Sequence, residues 1–329
     1  MRFPKAHRSA SALAVSLAAI ASSVHAGPGP NGYPAKPVSI VVPFAPGGGS
    51  DNVARYIASR LTERTGTTFL IDNRAGAGTN IGNEFAARAA PDGQTLLFGQ
   101  VTLAINPHVY KGLRYDVQKS FVPVVHIADS PTVLLVNPQV PAKDVEQLIA
   151  YAKANPGKVN YGSGGNGTSV HLAGEMFAAQ TQSQMVHVPY KGSAPATTDL
   201  IGGQIQAMFD TAPSALGNVK GARVTALAVT GPKRLAELPA VPTFTEAGMP
   251  QFDAPAWYGL LAPRGTSPEI VSFLNKEVNE ILKEPATVQR LTQLGSTPVG
   301  GTPETFGQFI QAEDKRWTAV VSAAKVMLD

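Results

Sequence analysis

The sequence predicts an α/β protein of two lobes, each a central, mostly parallel sheet covered by helices, with a cleft between them. Three observations carry this. Short apolar strands alternate with amphipathic helices along the chain, the rhythm of a parallel sheet covered on both faces. The length of 329 residues exceeds the size at which a single core usually stops growing. Glycine-rich turns fall between a strand and the next helix, where open α/β sheets place their ligands.

The first 26 residues stand apart. Arg2, Lys5 and Arg8 make a basic start, Ala10 to Ala21 is small and apolar, and Val24-His25-Ala26 ends in the small residue a signal peptidase prefers. The apolar stretch is too short for a bilayer, which needs about 20 residues, so residues 1–26 read as a signal peptide and the mature chain is expected outside the cytoplasm. The formal net charge is +4, and three of those positives leave with the signal while no acid does. The remainder is close to neutral, which argues against nucleic acid or a membrane surface as partner. Cysteine is absent, excluding thiol chemistry, disulfides and thiolate metal sites.

The elements follow in order. Val38 to Pro43 is a strand, and Asn52 to Glu63 a helix with Val53, Tyr56, Ile57 and Leu61 on one face. Thr68 to Ile71 is the next strand, and Asn73 to Gly82 leads into a helix through Arg88. Pro91-Asp92-Gly93 marks a turn before the strand Thr95 to Phe98. A second series has strands at Thr132–Val136, Val159–Tyr161, Met185–Val188, Ala207–Phe209 and Thr225–Val229, with helices at Val145–Ala154, Val170–Ala179 and Ala194–Ile201. Proline-rich text from Leu238 to Pro255 precedes Trp257 to Ala262, a strand suited to rejoin the first lobe, and from Glu269 the chain reads as helical, ending in a long helix from about Thr305 to Lys325. Those late helices have no sheet of their own and need one to cover. The expected organisation is lobe 1 from 27–128 plus 250–329, lobe 2 from 129–249, and a hinge at the two crossings.

Three stretches share one design: Pro43 to Asp51 (PFAPGGGSD), Asn73 to Gly82 (NRAGAGTNIG) and Tyr161 to Leu172 (YGSGGNGTSVHL). Each puts glycines and a Ser, Thr or Asn at a helix start, where unpaired backbone N–H groups and the helix dipole favour an anion. Helix N-termini contribute roughly 0.3–1 kcal/mol each, up to ~2 when partly buried, and charge-assisted hydrogen bonds about 1.5–3 kcal/mol. A carboxylate reaching two such termini and four donors can therefore supply the ~8 kcal/mol of a micromolar complex without a cationic side chain.

The candidate ligand-binding set is Phe44, Pro46, Gly47, Gly48, Ser50 and Asp51 in the first stretch and Thr79 in the second. Gln100 and Thr102, after the strand Thr95–Phe98, join them, as do Ser163, Gly164, Asn166, Thr168, Ser169 and His171 in the third, with Lys191 and Asp210 beyond. Ser163, Thr168, Ser169 and the amides of Gly47, Gly48 and Gly164 are the expected donors. Asp51 reads either as a helix cap or as a group that orients water or a ligand amine. Lys191 is either an anion partner or a solvated loop lysine, and Asp210 sits where a strand end faces the cleft. Phe44 and Tyr190 suit stacking on an apolar ligand body or core packing, and Arg74 suits a loop anchor. His171 is expected to bond the ligand or the neighbouring loop.

Enzyme motifs are near-matches that fail. Gly76 to Gly82 starts as GxG but has three residues, not two, before the next Gly. GxxxxGK[ST], GxSxG and HExxH are absent, and the six His are scattered. No metal or cofactor is expected. Ser169 and His171 are two apart and point to different sides of a helix, so a secreted hydrolase using Ser163 or Ser169 with His171 is the lesser alternative.

At the level of whole motifs the chain resembles the periplasmic solute-binding proteins of tripartite tricarboxylate transporters, the TctC or Bug family. The resemblance rests on YPAKPVSIVVPFAPGGGSD, NRAGAGTNIG, PDGQTLLFG, YGSGGNGTSVHLAGEMF, VPYKGSAPATTDLIGGQIQAMFD, ALAVTGPKRLAELPAVPTFTEAG and WYGLLAPRGTSP, in that order through nearly the whole mature sequence. It implies a Venus-flytrap fold of the periplasmic-binding-protein type and a periplasmic location. It further implies a carboxylate held largely by backbone amides, hydroxyls and water from the turns at Pro43–Asp51 and Gly162–His171. The implied partners are a small organic acid (a di- or tricarboxylate, an amino acid or an aromatic acid) and a membrane permease, or in the alternative a sensor protein without transport.

Overall fold

The structure is a computed structural model and describes residues 29–324; the expected signal peptide, 1–26, lies outside them. Among the described residues, eleven strands and eleven α-helices follow one another. β1 (Val38–Val42), α1 (Gly49–Thr65), β2 (Phe69–Asn73), α2 (Asn80–Ala87), β3 (Thr95–Gln100), α3 (Thr102–Val109), the single turn α4 (Val117–Ser120) and β4 (Phe121–Ser130) come first. Then come β5 (Thr132–Val136), α5 (Val145–Ala154), β6 (Val159–Ser163), α6 (Ser169–Thr181), β7 (Met185–Pro189), α7 (Ser193–Ile201), β8 (Ala207–Thr211), α8 (Ala212–Lys220) and β9 (Thr225–Val229). The chain closes with β10 (Ala256–Pro263), α9 (Pro268–Lys283), α10 (Pro285–Gln293), β11 (Thr297–Pro298) and α11 (Pro303–Ala324).

Two sheets result: a six-stranded one in the order β11-β4-β10-β3-β1-β2, and a five-stranded one in the order β7-β6-β8-β5-β9. The βα rhythm delivers parallel pairing where it was expected, β1 with β2 and β3, and β6 with β7 and β8. The strands that enter and leave the crossings pair antiparallel, β10 with β3 and β4, β5 with β8 and β9, so both sheets are mixed. Chain direction explains this: β4 runs into β5 through Pro131 alone, and the return strand β10 comes back between β4 and β3 pointing the other way. The hydroxyl of Thr132 donates to Ala254 O at 2.7 Å, tying the two crossings together.

The late helices do cover the first sheet. α9 is opened by Ser267, whose hydroxyl accepts from Ile270 N at 3.3 Å, with Pro at the first helical position. It buries Val271, Leu274, Val278 and Ile281, one face at helical spacing. The buried Glu277 on that helix takes Arg64 of α1 at 2.9 Å, so its carboxylate is not left unpaired. α11 buries Phe306, Ile310 and Trp317 in the same core as Trp257 of β10. Its Glu313 accepts from both indoles, Trp257 Nε1 at 3.2 Å and Trp317 Nε1 at 3.1 Å. Burying two large aromatic N–H groups is tolerable because one carboxylate satisfies both.

Gly259 of β10 lies directly under the Phe306 ring, and a Cβ there would overlap it. Gly259→Ala should therefore overpack the α11 contact and cost about 1–3 kcal/mol, read as a drop of several degrees in Tm. Adding Phe306→Leu should recover part of the loss, and strictly additive losses in that pair would show the contact to be misassigned.

Candidate functional site

Three helices begin at one point. α1 and α6 start after the glycine stretches at Gly47–Gly49 and Gly164–Gly167, and α7 starts after Gly192, whose φ of +142° suits glycine. Their first turns meet around a small chamber lined by Phe44, Gly48, Gly49, Ser50, Gln100, Gly164, Thr168, Ser169, Val170, Ser193 and Thr211. Helix geometry leaves the first-turn N–H groups of each without intrahelical acceptors, so partial positive charge converges there from both lobes. None of the lining residues carries a formal charge. The chamber volume is about 20 Å³, room for about one water.

The lobes are drawn together around it. Ala45 N donates to Lys191 O at 3.0 Å, Asn52 Nδ2 to Pro213 O at 3.1 Å and Tyr110 Oη to Asn166 O at 2.9 Å. Glycines permit the approach: a Cβ on Gly49 would overlap Thr211 Oγ1, and one on Gly78 would overlap Asn166 O. This is the closed arrangement of the cleft. A larger groove of about 1030 Å³ lies elsewhere, among Thr230, Lys233, Glu237, Trp257, Ser296 and Phe309. Its lining mixes acids and bases, and no cluster of helix starts converges on it, so it is the weaker candidate for an anion.

Of the residues expected from sequence, Phe44, Gly48, Ser50, Gln100, Gly164, Thr168 and Ser169 line the chamber. Gln100 Nε2 donates to Ser50 Oγ at 3.0 Å, fixing that hydroxyl at the start of α1. Thr168 caps α6, accepting from His171 N at 3.3 Å and donating to Gly165 O at 2.7 Å.

The others take supporting places. The Gly47 amide is not a free donor; it bonds Asp51 Oδ2 at 2.9 Å, and Pro46 and Gly47 are exposed. Asp51 also takes Arg55 Nε at 2.8 Å and Asn73 Nδ2 at 2.9 Å, so it pins the glycine turn rather than facing the chamber. Burial alone would raise its carboxyl, but the bonds from Arg55, Gly47 and Asn73 outweigh that and hold it below the usual range. The Lys191 side chain is exposed, and only its carbonyl joins the closure. Asn166 contributes its carbonyl to Tyr110 and does not line the chamber. Asp210 is fully buried beside the chamber but not on its wall.

The second glycine stretch does not reach the site. Thr79 Oγ1 donates to Thr102 Oγ1 at 3.0 Å and accepts from Asn83 Nδ2 and Asn106 Nδ2, and the latter also bonds Gly78 O and Asn80 Oδ1. This buried network turns Thr79 and Thr102 inward to hold α2 against α3. The start of α7, expected as a helix from Ala194 but not as part of the site, takes the expected third place. Gly192-Ser193 repeats the same pattern of a glycine followed by a hydroxyl, and that signal was available in the sequence.

Ser163 also departs from expectation. Its hydroxyl shares a 2.6 Å hydrogen bond with His187 Nε2, donates to Gly165 O at 3.2 Å and accepts from Gly165 N at 3.1 Å. It is wholly buried and holds the loop from beneath. His171 bonds the neighbouring loop: Nδ1 accepts from Gly167 N at 3.1 Å while Nε2 faces Glu175 at 3.7 Å. The two imidazoles stack at 3.9 Å, and Tyr161 donates to the same Glu175 oxygen at 2.5 Å. Burial lowers the pKa of His171 against the pull of Glu175, and burial together with the neighbouring His171 lowers His187 to about 3. A neutral, stacked histidine pair therefore braces the Ser163–Thr168 loop. His187 escaped sequence reasoning because its partner lies across the β6–β7 pairing, Tyr161 opposite His187.

The family model for the tripartite tricarboxylate transporter family receptor matches residues 53–326. BugT of Bordetella pertussis is 38% identical over 309 residues, 93% of this chain and 94% of that protein. A Rhodopseudomonas palustris protein solved with adipate is 37% identical with a TM-score of 0.87, covering 89% of this chain and 98% of the other. MatC from the same organism, solved with bound malate, is 34% identical with a TM-score of 0.83, covering 88% and 100%. The fold agrees with these matches, and the chain belongs to the TctC/Bug family of periplasmic solute-binding proteins.

Proposed function

We propose that this protein captures a small carboxylate between its two lobes in the periplasm and delivers it to the permease of a tripartite tricarboxylate-type transporter. One observation carries the reading: the starts of α1, α6 and α7, where a helix leaves main-chain N–H groups without intrahelical acceptors, line one chamber without charged side chains. In this reading the lobes are 27–128 with 250–329, and 129–249, and they swing about the two crossings. A closed chamber of about 20 Å³ admits an organic acid only as the lobes part. The acid then adds bonds of its own to the interlobe contacts, which makes closure depend on the ligand. Two relatives were solved with adipate and malate, small organic acids of the class proposed here.

A Ser–His hydrolase is not favoured. The Ser163 hydroxyl is wholly buried beneath the loop, its partner is His187 rather than His171, and Ser163 does not line the chamber. A nucleophile needs to reach within hydrogen-bond distance of its substrate.

Calorimetry with purified mature protein against dicarboxylates, amino acids and aromatic acids should give saturable binding at micromolar to sub-millimolar ligand; no heat from any of them at millimolar concentration would remove this reading. Tyr110→Phe deletes one interlobe hydrogen bond, worth about 0.5–1.5 kcal/mol net, and should weaken the bound acid by about 2- to 12-fold with little change in unliganded Tm. The histidine pair sets a pH dependence. Both rings are held neutral in the fold and return to ordinary values near 6.5 on unfolding, so their contribution is constant above that pH. It is lost progressively as pH falls toward 3, because the unfolded chain takes up protons the fold refuses. Tm should therefore decline from pH 7 to pH 5, and His187→Gln, which keeps a bond to Ser163 but does not titrate, should flatten that decline.

A further inference from the structure

Two polar atoms are sealed without partners where the lobes meet beside the chamber. Asp210, at the end of β8, gives Oδ1 to the Thr211 N–H at 2.8 Å; the Ser193, Ser214 and Thr197 hydroxyls stand around the carboxyl, yet none takes up hydrogen-bond geometry with Oδ2. Tyr258 of β10, in the other lobe, has the Thr211 and Ser130 hydroxyls and the Asp210 carboxyl as neighbours and likewise no partner at hydrogen-bond geometry. Both residues are 0% exposed. They share one seam: Thr211 and Ser193 line the chamber on the Asp210 side, and a Cβ placed on Gly49 would stand 3.2 Å from Tyr258 Oη. Leaving two buried polar groups unpaired is costly in a closed state. Because they belong to opposite lobes, the seam opens with the cleft and closes over whatever it holds.

Building on the carboxylate-binding reading of the same cleft, we propose that Asp210 and Tyr258 form a second pole of the site that reads a hydrogen-bond donor. The acid captured accordingly carries an amino or hydroxyl substituent beside its carboxylate. The chemistry of the two poles is opposite. The starts of α1 and α6 offer N–H groups, which suit a carboxylate. An ionised Asp210 only accepts, and the phenol beside it can accept or donate, so a second carboxylate is repelled while an ammonium or hydroxyl completes both. Burial pushes the Asp210 carboxyl up to about 6, with the Ser193, Ser214 and Thr197 hydroxyls and the Thr211 N–H pulling the other way. A ligand donor at Oδ2 would favour the ionised form further.

Calorimetry on matched acids that differ at one carbon tests this. The sets are succinate, malate and aspartate; glutarate, 2-hydroxyglutarate and glutamate; and propionate, lactate and alanine, each titrated into wild type, Asp210→Asn and Tyr258→Phe. Within whichever set the wild type binds, a substituted member should bind at least tenfold more tightly than the unsubstituted one. That ratio should fall toward one in both variants, with Asp210→Asn acting most on the amino member. An unsubstituted acid that binds wild type as tightly as its substituted partners, or a preference that survives in both variants, would overturn the second pole while leaving carboxylate capture intact. Failure of wild type to bind any acid, in these sets or in a wider panel, would overturn both.

Discussion

The structure turns on bringing three helix N-termini within reach of one small volume. Each start carries unpaired N–H groups and a partial positive charge, so the three repel one another unless solvent or an anion lies between them. Fold and loops answer this constraint. Glycines at 48, 49 and 164 let backbone, not side chain, form the wall, and the strands place those glycines at their carboxyl ends, α1 on one sheet, α6 and α7 on the other. An anion between the lobes is the natural complement of that geometry, and the absence of charged side chains on the wall leaves the main chain to hold it.

Backbone donors hold an anion only if the loops that carry them are fixed. The first loop is pinned by Asp51, which ties Gly47, Arg55 and Asn73 into one unit. The second is braced from below by Ser163, His187 and His171. In both cases a residue type associated with chemistry is used for position: a carboxylate bonded into its own loop, and a serine–histidine pair sealed beneath the other. Burial decides this outcome. A wholly buried hydroxyl bonded on three sides, and a histidine whose pKa is driven down by its surroundings, have the contacts of a brace and lack the access of a nucleophile and base.

Closure is shared among weak contacts. Ala45 to Lys191, Asn52 to Pro213 and Tyr110 to Asn166 are single hydrogen bonds, two of them to side-chain donors, and each contributes about a kcal/mol or less net. A latch of that strength can be tipped by a ligand, as capture followed by release requires. The stronger packing lies away from the cleft, where Trp257, Trp317 and Phe306 surround Glu313 and where Arg64 meets Glu277.

The sequence by itself determined the α/β class, the alternation of strands and helices, the return of the late chain to the first sheet and the glycine-and-hydroxyl starts of α1 and α6. These follow from local facts: apolar periodicity, turn chemistry, and glycines beside hydroxyls. Tertiary structure alone decided which turns meet. The Asn73–Gly82 stretch looks as competent as the others, yet its Thr79 is drawn inward by Asn83 and Asn106, residues 4 and 27 positions away. The start of α7 took its place because β6 and β7 pair in parallel and carry it to the cleft. His187, Tyr258 and the antiparallel crossings were hidden for the same reason. Periodicity shows which face of an element is buried, but the partner on that face is set by strand order, which no local pattern encodes.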